Sequence, residues 1–388
     1  MTVAHPIGRA WISTGGTGAQ NYDEFADDTE ITAIIADNPA SALAVEMPHR
    51  APESVGTSFT DSLPDAVARL EQAKADLMYA PAAEVAVLYR ITAPDGHRAY
   101  GLWCMVDTDQ ISTSADEPGL VIRNEDVFID KVRERVALAE ATGHLLSPVL
   151  LLQTAHGETL HAALVQATAE AGRPATVDED QAGRRHEIWP IGPGTLRDRL
   201  LALAGGGELV VADGNHRSLA AQQAGLTRFL AVVTTPGSVT IQPYNRLVSE
   251  LTADLGDVTS LEGRPAAPEK GTIHLYTVDG GFSQQLAADD GALAVDNLDH
   301  ALVEQKLFGD RLGLDPGDKR ITYVGGDYPA EWLCDEVDAG RAALAVLIAP
   351  VTVDDFVAVN LARQKMPRKS TWFTPKARAG LVVAEIRA

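Results

Sequence analysis

Cysteine is nearly missing from this chain: Cys104 and Cys334 are the two it has in 388 residues, and they stand in separate regions. They can build neither a disulfide framework nor a cysteine-rich zinc site, and a reducing cytoplasm is the expected location. His156 and His161 flank a helix start, but no His-Glu-Xaa-Xaa-His spacing of a zinc hydrolase occurs. Long apolar runs are missing too. The longest, such as Val149 to Leu152, fall far short of the roughly 20 residues needed to span a bilayer. The first residues lack the basic-then-apolar pattern of a signal peptide, and there is no internal repeat or long low-complexity tract. Positive charge is scarce: 32 Lys and Arg against 54 Asp and Glu give a net charge of −22. Non-specific nucleic-acid binding depends on Lys and Arg displacing counterions, so that class is disfavoured, and no clear basic helix-turn-helix appears.

What is present is the composition of a soluble globular protein, 45% hydrophobic and 22% charged, with length for two or three domains. In so acidic a chain, local clusters of cations carry more information than usual. The stretch that organises the rest is Glu208 to Gly225. Leu209 to Ala212 are apolar without interruption and read as a short buried strand. Asp213-Gly214-Asn215 turns the chain. Ser218 to Ala224 follow as a helix, with Gly225 as its stop. Asp213, Gly214, Asn215, His216 and Arg217 therefore lie where a strand ends and a helix begins. Free backbone N–H groups and the positive end of a helix dipole suit that place to a phosphate or another anion. A capped turn with surface charges is the alternative reading.

Residues 1–110 read as one α+β unit. It has helices at Asp23 to Ala36 and Ser62 to Met78, a strand at Ala42 to Met47, and paired strands at Val85 to Ile91 and Arg98 to Val106. The small-residue stretch Ser13 to Ala19 reads as a flexible connector, since it lacks the spacing of a nucleotide-binding loop. Residues 111–260 alternate strand and helix, which predicts an α/β layer arrangement. Residues 261–388 read as a further α/β domain. Near its end, Lys365, Arg368, Lys369, Lys376 and Arg378 gather around Trp372 and Phe373, an electropositive patch readable as an anion clamp or as a solvated tail.

Four segments carry a resemblance over nearly the whole length. They are Asn38-Pro-Ala-Ser41; Asn124-Glu125 with Arg135 and Leu145-Leu-Ser-Pro148; Ala212-Asp-Gly-Asn-His-Arg217 with Pro243-Tyr-Asn-Arg-Leu-Val248; and Met366 to Lys376 with Gly380-Leu381. On these the chain resembles the domain of unknown function family 1015. The central Asp-Gly-Xaa-His-Arg turn is similar to the nucleotide-binding turn of the ParB and sulfiredoxin superfamily, whose free-serine kinases place a glutamate upstream as base. The resemblance implies an α/β (α+β) protein with a ParB/sulfiredoxin-like central domain, and an N-terminal α+β unit and C-terminal α/β domain on either side. It implies a nucleotide-dependent phosphotransferase acting on a small hydroxylated metabolite, using ATP or ADP with Mg²⁺. Glu125 and Asp213 are its candidate catalytic residues. Gly214, Asn215, His216, Arg217, Arg246, Lys369, Ser370, Thr371 and Lys376 are its candidate phosphate ligands, with no dedicated metal ligands. Expected partners are the nucleotide and a small substrate, with no nucleic acid and no membrane; self-association as a homo-oligomer is left open. The chain departs from the family at Asn124, Asn215 and Asn245, where the family usually has His. Asparagine hydrogen-bonds but cannot carry a proton near neutral pH, so a non-catalytic nucleotide or metabolite sensor is the rival reading.

Overall fold

A computed structural model describes residues 2–25, 28–112 and 119–386. The fold is mixed α/β, as expected. Its contacts divide into two units, one of residues 1–239 with 375–388 and the other of residues 240–374. The last strand of the chain, Val382–Glu385, returns to the first unit and pairs with Ile7–Ser13.

The first unit is built on a 13-stranded mixed sheet. Leu209–Asp213 sits between Val121–Ile122, to which it is parallel, and Val149–Gln153, to which it is antiparallel. Arg228–Thr234, Arg98–Asp107, Tyr79–Thr92, Ile7–Ser13 and Val382–Glu385 continue the sheet. Residues two apart in these strands share a face. On one face Leu102, Cys104, Val149, Leu151, Leu209, Val211, Ala231 and Val233 form a buried core with Leu160 and Leu164 of helix Gly157–Glu170 and Leu200 and Leu201 of helix Thr195–Ala204. A second core gathers Ile31, Ile35, Leu43, Leu70, Leu138 and Val383. Cys104 is a buried free thiol, pushed up to about 12 by burial, and Cys334 is buried and free as well. Neither forms a disulfide, in keeping with their separation in the sequence.

Three local expectations are corrected. Ala42 to Glu46 is a short helix and not a strand. All five residues are buried, so the apolar run carried no periodicity to separate helix from strand. The Ser41 hydroxyl accepts from Leu43 N–H and starts the helix. Ser13 to Ala19 is no loose connector: Thr17 is fully buried, its hydroxyl bonds to Ser13 Oγ and Gly380 O, and Ala19 bridges to Ala379. The first long helix starts at Asp28 and not at Asp23, after a turn of 3₁₀ helix at Tyr22–Glu24; residues 26 and 27 of the expected helix lie outside the described residues.

The second unit carries a 6-stranded antiparallel sheet in the order Thr259–Leu261, Gly280–Gln285, Thr272–Thr277, Leu344–Ile348, Asn245–Val248, Ile321–Val324. A separate ribbon pairs Thr240–Gln242 with Trp372–Thr374. Helix Asp299–Leu302 runs into a π-helix, Val303–Leu312, ended by Gly313. No helix among the described residues is long and apolar enough to cross a membrane.

Candidate functional site

The strand ends at Asp213 and the helix runs from Asn215 to Gln223, three residues earlier than the run of helix formers predicts. Gly214 makes this start. Its φ is +100°, a left-handed conformation that side-chain-bearing residues avoid, and a Cβ there would stand 3.2 Å from both Arg217 Cζ and Val149 Cα. The corner is therefore a tight turn against which the Arg217 guanidinium lies closely.

Side chains lock the corner from inside. Arg217 Nη2 donates to the Asp213 carboxylate and Nη1 donates to Pro148 O, with a longer bond of 3.4 Å to Asn21 Oδ1. Lys376 Nζ stands 3.6 Å from the other Asp213 oxygen. Phe128 N–H donates to His216 Nε2 at 3.0 Å, and the two rings stack. Asn215 Nδ2 donates to Asn124 Oδ1 at 2.6 Å. Asn215, His216 and Arg217 are all buried, the latter two 8% exposed. Arg217 and His216 are thus engaged with protein groups. The physical reason is burial: a guanidinium taken from water needs an anion and carbonyls of its own chain.

The same bonds bring Glu125 to the corner. Asn124 and Phe128, on either side of it in sequence, are hydrogen-bonded to the first two helix residues. Glu125 is half-buried. Burial holds the neighbouring Arg123 guanidinium below its ordinary value, against the opposing charges of Asp126 and Glu125. Of the expected C-terminal clamp, Lys376 reaches Asp213. Lys369, Ser370 and Thr371 belong to the second unit: Lys369 has a φ of +52° and its ammonium lies 5.6 Å from the Tyr244 ring centroid, while Ser370 is 1% exposed.

Arg246, another expected phosphate ligand, is also in the second unit. It is fully buried, with Nε and Nη2 each 3.1 Å from Glu304 Oε1 and Nη1 on Tyr244 O and Asn245 O. Burial lowers its affinity for a proton while Glu304 opposes the shift. Asn245 is structural as well, accepting from Ile348 N–H at 3.0 Å. Among the described residues no three His, Cys, Asp or Glu gather to hold a metal ion.

Two partners were not anticipated, Asn21 and the Pro148 carbonyl. A carbonyl leaves no mark in a sequence, although the Leu145 to Pro148 segment had already stood out for its resemblance.

Comparison with known proteins follows this geometry. No curated protein matches the chain. Among solved structures, a free serine kinase in complex with AMP is 12% identical, covering 70% of this chain and 87% of its own, with a TM-score of 0.38. SbnI with a C-terminal truncation, from Staphylococcus aureus, is 13% identical over 71% of this chain and 84% of its own, at a TM-score of 0.39. A conserved hypothetical protein from Pyrococcus furiosus is 13% identical over 72% and 95%, at 0.36. Residues 17–301, most of the chain, match a family described as protein of unknown function (DUF1015), and the chain belongs to that family.

Proposed function

We propose that the Asp213–Arg217 corner seats the phosphates of a nucleotide, and that the protein transfers a phosphoryl group from it to a small hydroxylated metabolite. The observation that carries this reading is the Asn124–Asn215 hydrogen bond, 2.6 Å long, which ties the Glu125 segment to the helix N-terminus. Phosphoryl transfer is mostly positioning and charge neutralisation. The first-turn N–H groups of helix Asn215–Gln223 supply donors and the positive dipole end. Lys376 supplies a cation at its edge. Arg217 serves by holding Asp213 and the turn, and not by reaching the phosphate. Glu125 then takes the proton of the substrate hydroxyl as its oxygen bonds to the terminal phosphorus. The bond from that phosphorus to the bridging oxygen breaks, and the nucleoside diphosphate leaves. Asp213, flanked by Arg217 and Lys376, is the weaker candidate base. Mg²⁺ would arrive with the nucleotide phosphates, since the described residues hold no acidic cluster for it.

A non-catalytic nucleotide or metabolite sensor is the second reading. The neutral Asn124–Asn215 pair favours it, because neither side chain can move a proton. One experiment separates the two. ATP, ADP, AMP and CTP at millimolar levels with Mg²⁺ are tested for a rise in unfolding temperature, and nucleotide consumption is followed against a panel of hydroxylated metabolites. A kinase turns over, and Glu125→Gln lowers its turnover by about 10²–10⁴-fold while leaving the thermal shift. A sensor shifts without turnover. Neither a shift nor consumption would remove both readings.

A further inference from the structure

Behind the corner, within the first unit, lies a cavity of about 40 Å³. Arg217 forms part of its wall, with Arg135, Glu46, Ser147 and apolar side chains that include Leu138 and Val149. Arg135 comes from helix Ile129–Thr142 and is 6% exposed. Its guanidinium lies over the rings of Tyr22 and Phe59, 4.1 and 5.1 Å from their centroids. Nη2 donates to Glu46 O at 3.2 Å and contacts Met47 Sδ. Nε and Nη1, both buried, have no hydrogen-bond partner in the protein, and neither has the buried Ser147 hydroxyl. Buried donors left without acceptors are costly and rare in folded proteins, so three of them around one cavity, two of them charged, point to something that accepts.

We propose that this cavity is a binding site for a small monocarboxylate, held by Arg135 and by Ser147 Oγ. Charge supports one negative group. Arg217 is matched by Asp213, while the Arg135 guanidinium has two donors open to a negative group. His144, also on the wall, adds no positive charge: its Nδ1 donates to Thr142 O and its Nε2 accepts a hydrogen bond from Lys74 Nζ at 2.9 Å. Size supports a carboxylate over a phosphate. A water occupies roughly 10–15 Å³ on this measure, so the space suits about three or four heavy atoms. Leu138, Val149 and Leu230 give an apolar wall for a methyl or ethyl group. Leu145 and Ser147 are half-buried, which brings the cavity wall to the surface of this unit. The site is independent of the nucleotide reading, and a chain that ignored nucleotides would still bind here.

The test uses the full chain. Acetate is titrated against chloride, acetamide and inorganic phosphate at matched ionic strength, with unfolding temperature and saturation-transfer NMR on acetate as readouts. Acetate is expected to bind saturably in the millimolar range, with phosphate at least ten-fold weaker and acetamide and chloride without effect. Arg135→Gln should weaken acetate at least ten-fold, and the milder Ser147→Ala several-fold. Ser147→Ala and the wild-type anion series decide the matter should Arg135→Gln fail to fold. Equal responses to acetate and chloride, tighter binding of phosphate, or an acetate affinity untouched by Ser147→Ala would each overturn the proposal.

Discussion

Arg246 in the second unit and Arg135 in the first are both buried, yet they are opposites. All three side-chain nitrogens of Arg246 have acceptors, with Glu304 and main-chain carbonyls filling its surroundings. Two of the three nitrogens of Arg135 have none, and a cavity lies beside them. Both stand in the segments that carry the family resemblance, so neither position in the sequence tells which is structural. The difference teaches that burial of a cation marks a site only when its donors outnumber the acceptors the fold provides.

The sharpest way to break this comparison is to remove each guanidinium. Arg246→Met leaves the half-buried Glu304 without its cation and is expected to cost about 3 kcal/mol in denaturant unfolding, most of it regained with Glu304→Leu. The same change at Arg135 discards two buried donors that have no acceptor in the protein, and should cost roughly 1 kcal/mol. Equal costs would erase the distinction.

A second expectation concerns pH. His300 is fully buried beside Arg246 and its Nε2 donates to Tyr244 O at 3.2 Å. Burial first, and then the Arg246 charge, push the imidazole down to about 3 from an ordinary 6.5. The folded state keeps it neutral while the unfolded chain takes a proton below 6.5. The stability it contributes is therefore whole above 6.5 and lost as pH falls toward 3. At pH 5 the loss should be about 2 kcal/mol, and His300→Asn should flatten that part of the profile. His186 in the first unit is buried and shifted in the same direction, by burial first, so the variant isolates the second unit's share. An unchanged profile would show that His300 is not a neutral core group.

The smallest effect is expected at Lys376. Its 3.6 Å contact with Asp213 is long, and Lys376→Met should cost about 1 kcal/mol or less. If the corner seats phosphates, the same change weakens nucleotide binding several-fold, which a thermal-shift titration reads. A large stability loss with unchanged affinity would make Lys376 another Arg246.

Much of the fold was legible in the residues. The periodicity of Ser62 to Met78, the hairpin around Pro94-Asp-Gly96, and the glycine that ends helix Ile129–Thr142 at a φ of +70° each follow from local chemistry, and each is present. Ala42 to Glu46 was not legible, because a run buried on every side has no polar face to set its period. At the site, the strand-turn-helix corner was readable, and so was the idea that cations gather there. Which cations face a ligand and which face each other was not.

The order of residues alone determined the corner itself: an apolar run, a glycine able to take a left-handed turn, and helix formers after it specify that bend through contacts a few residues long. Tertiary structure decided the partners. Pro148, Asn21, Asn124, Phe128 and Lys376 reach the corner from distant parts of the chain, and charge pairing between buried groups depends on distance in space. That is why Arg217 is paired with Asp213 and Arg246 with Glu304, while Arg135 keeps donors with acceptors still to find.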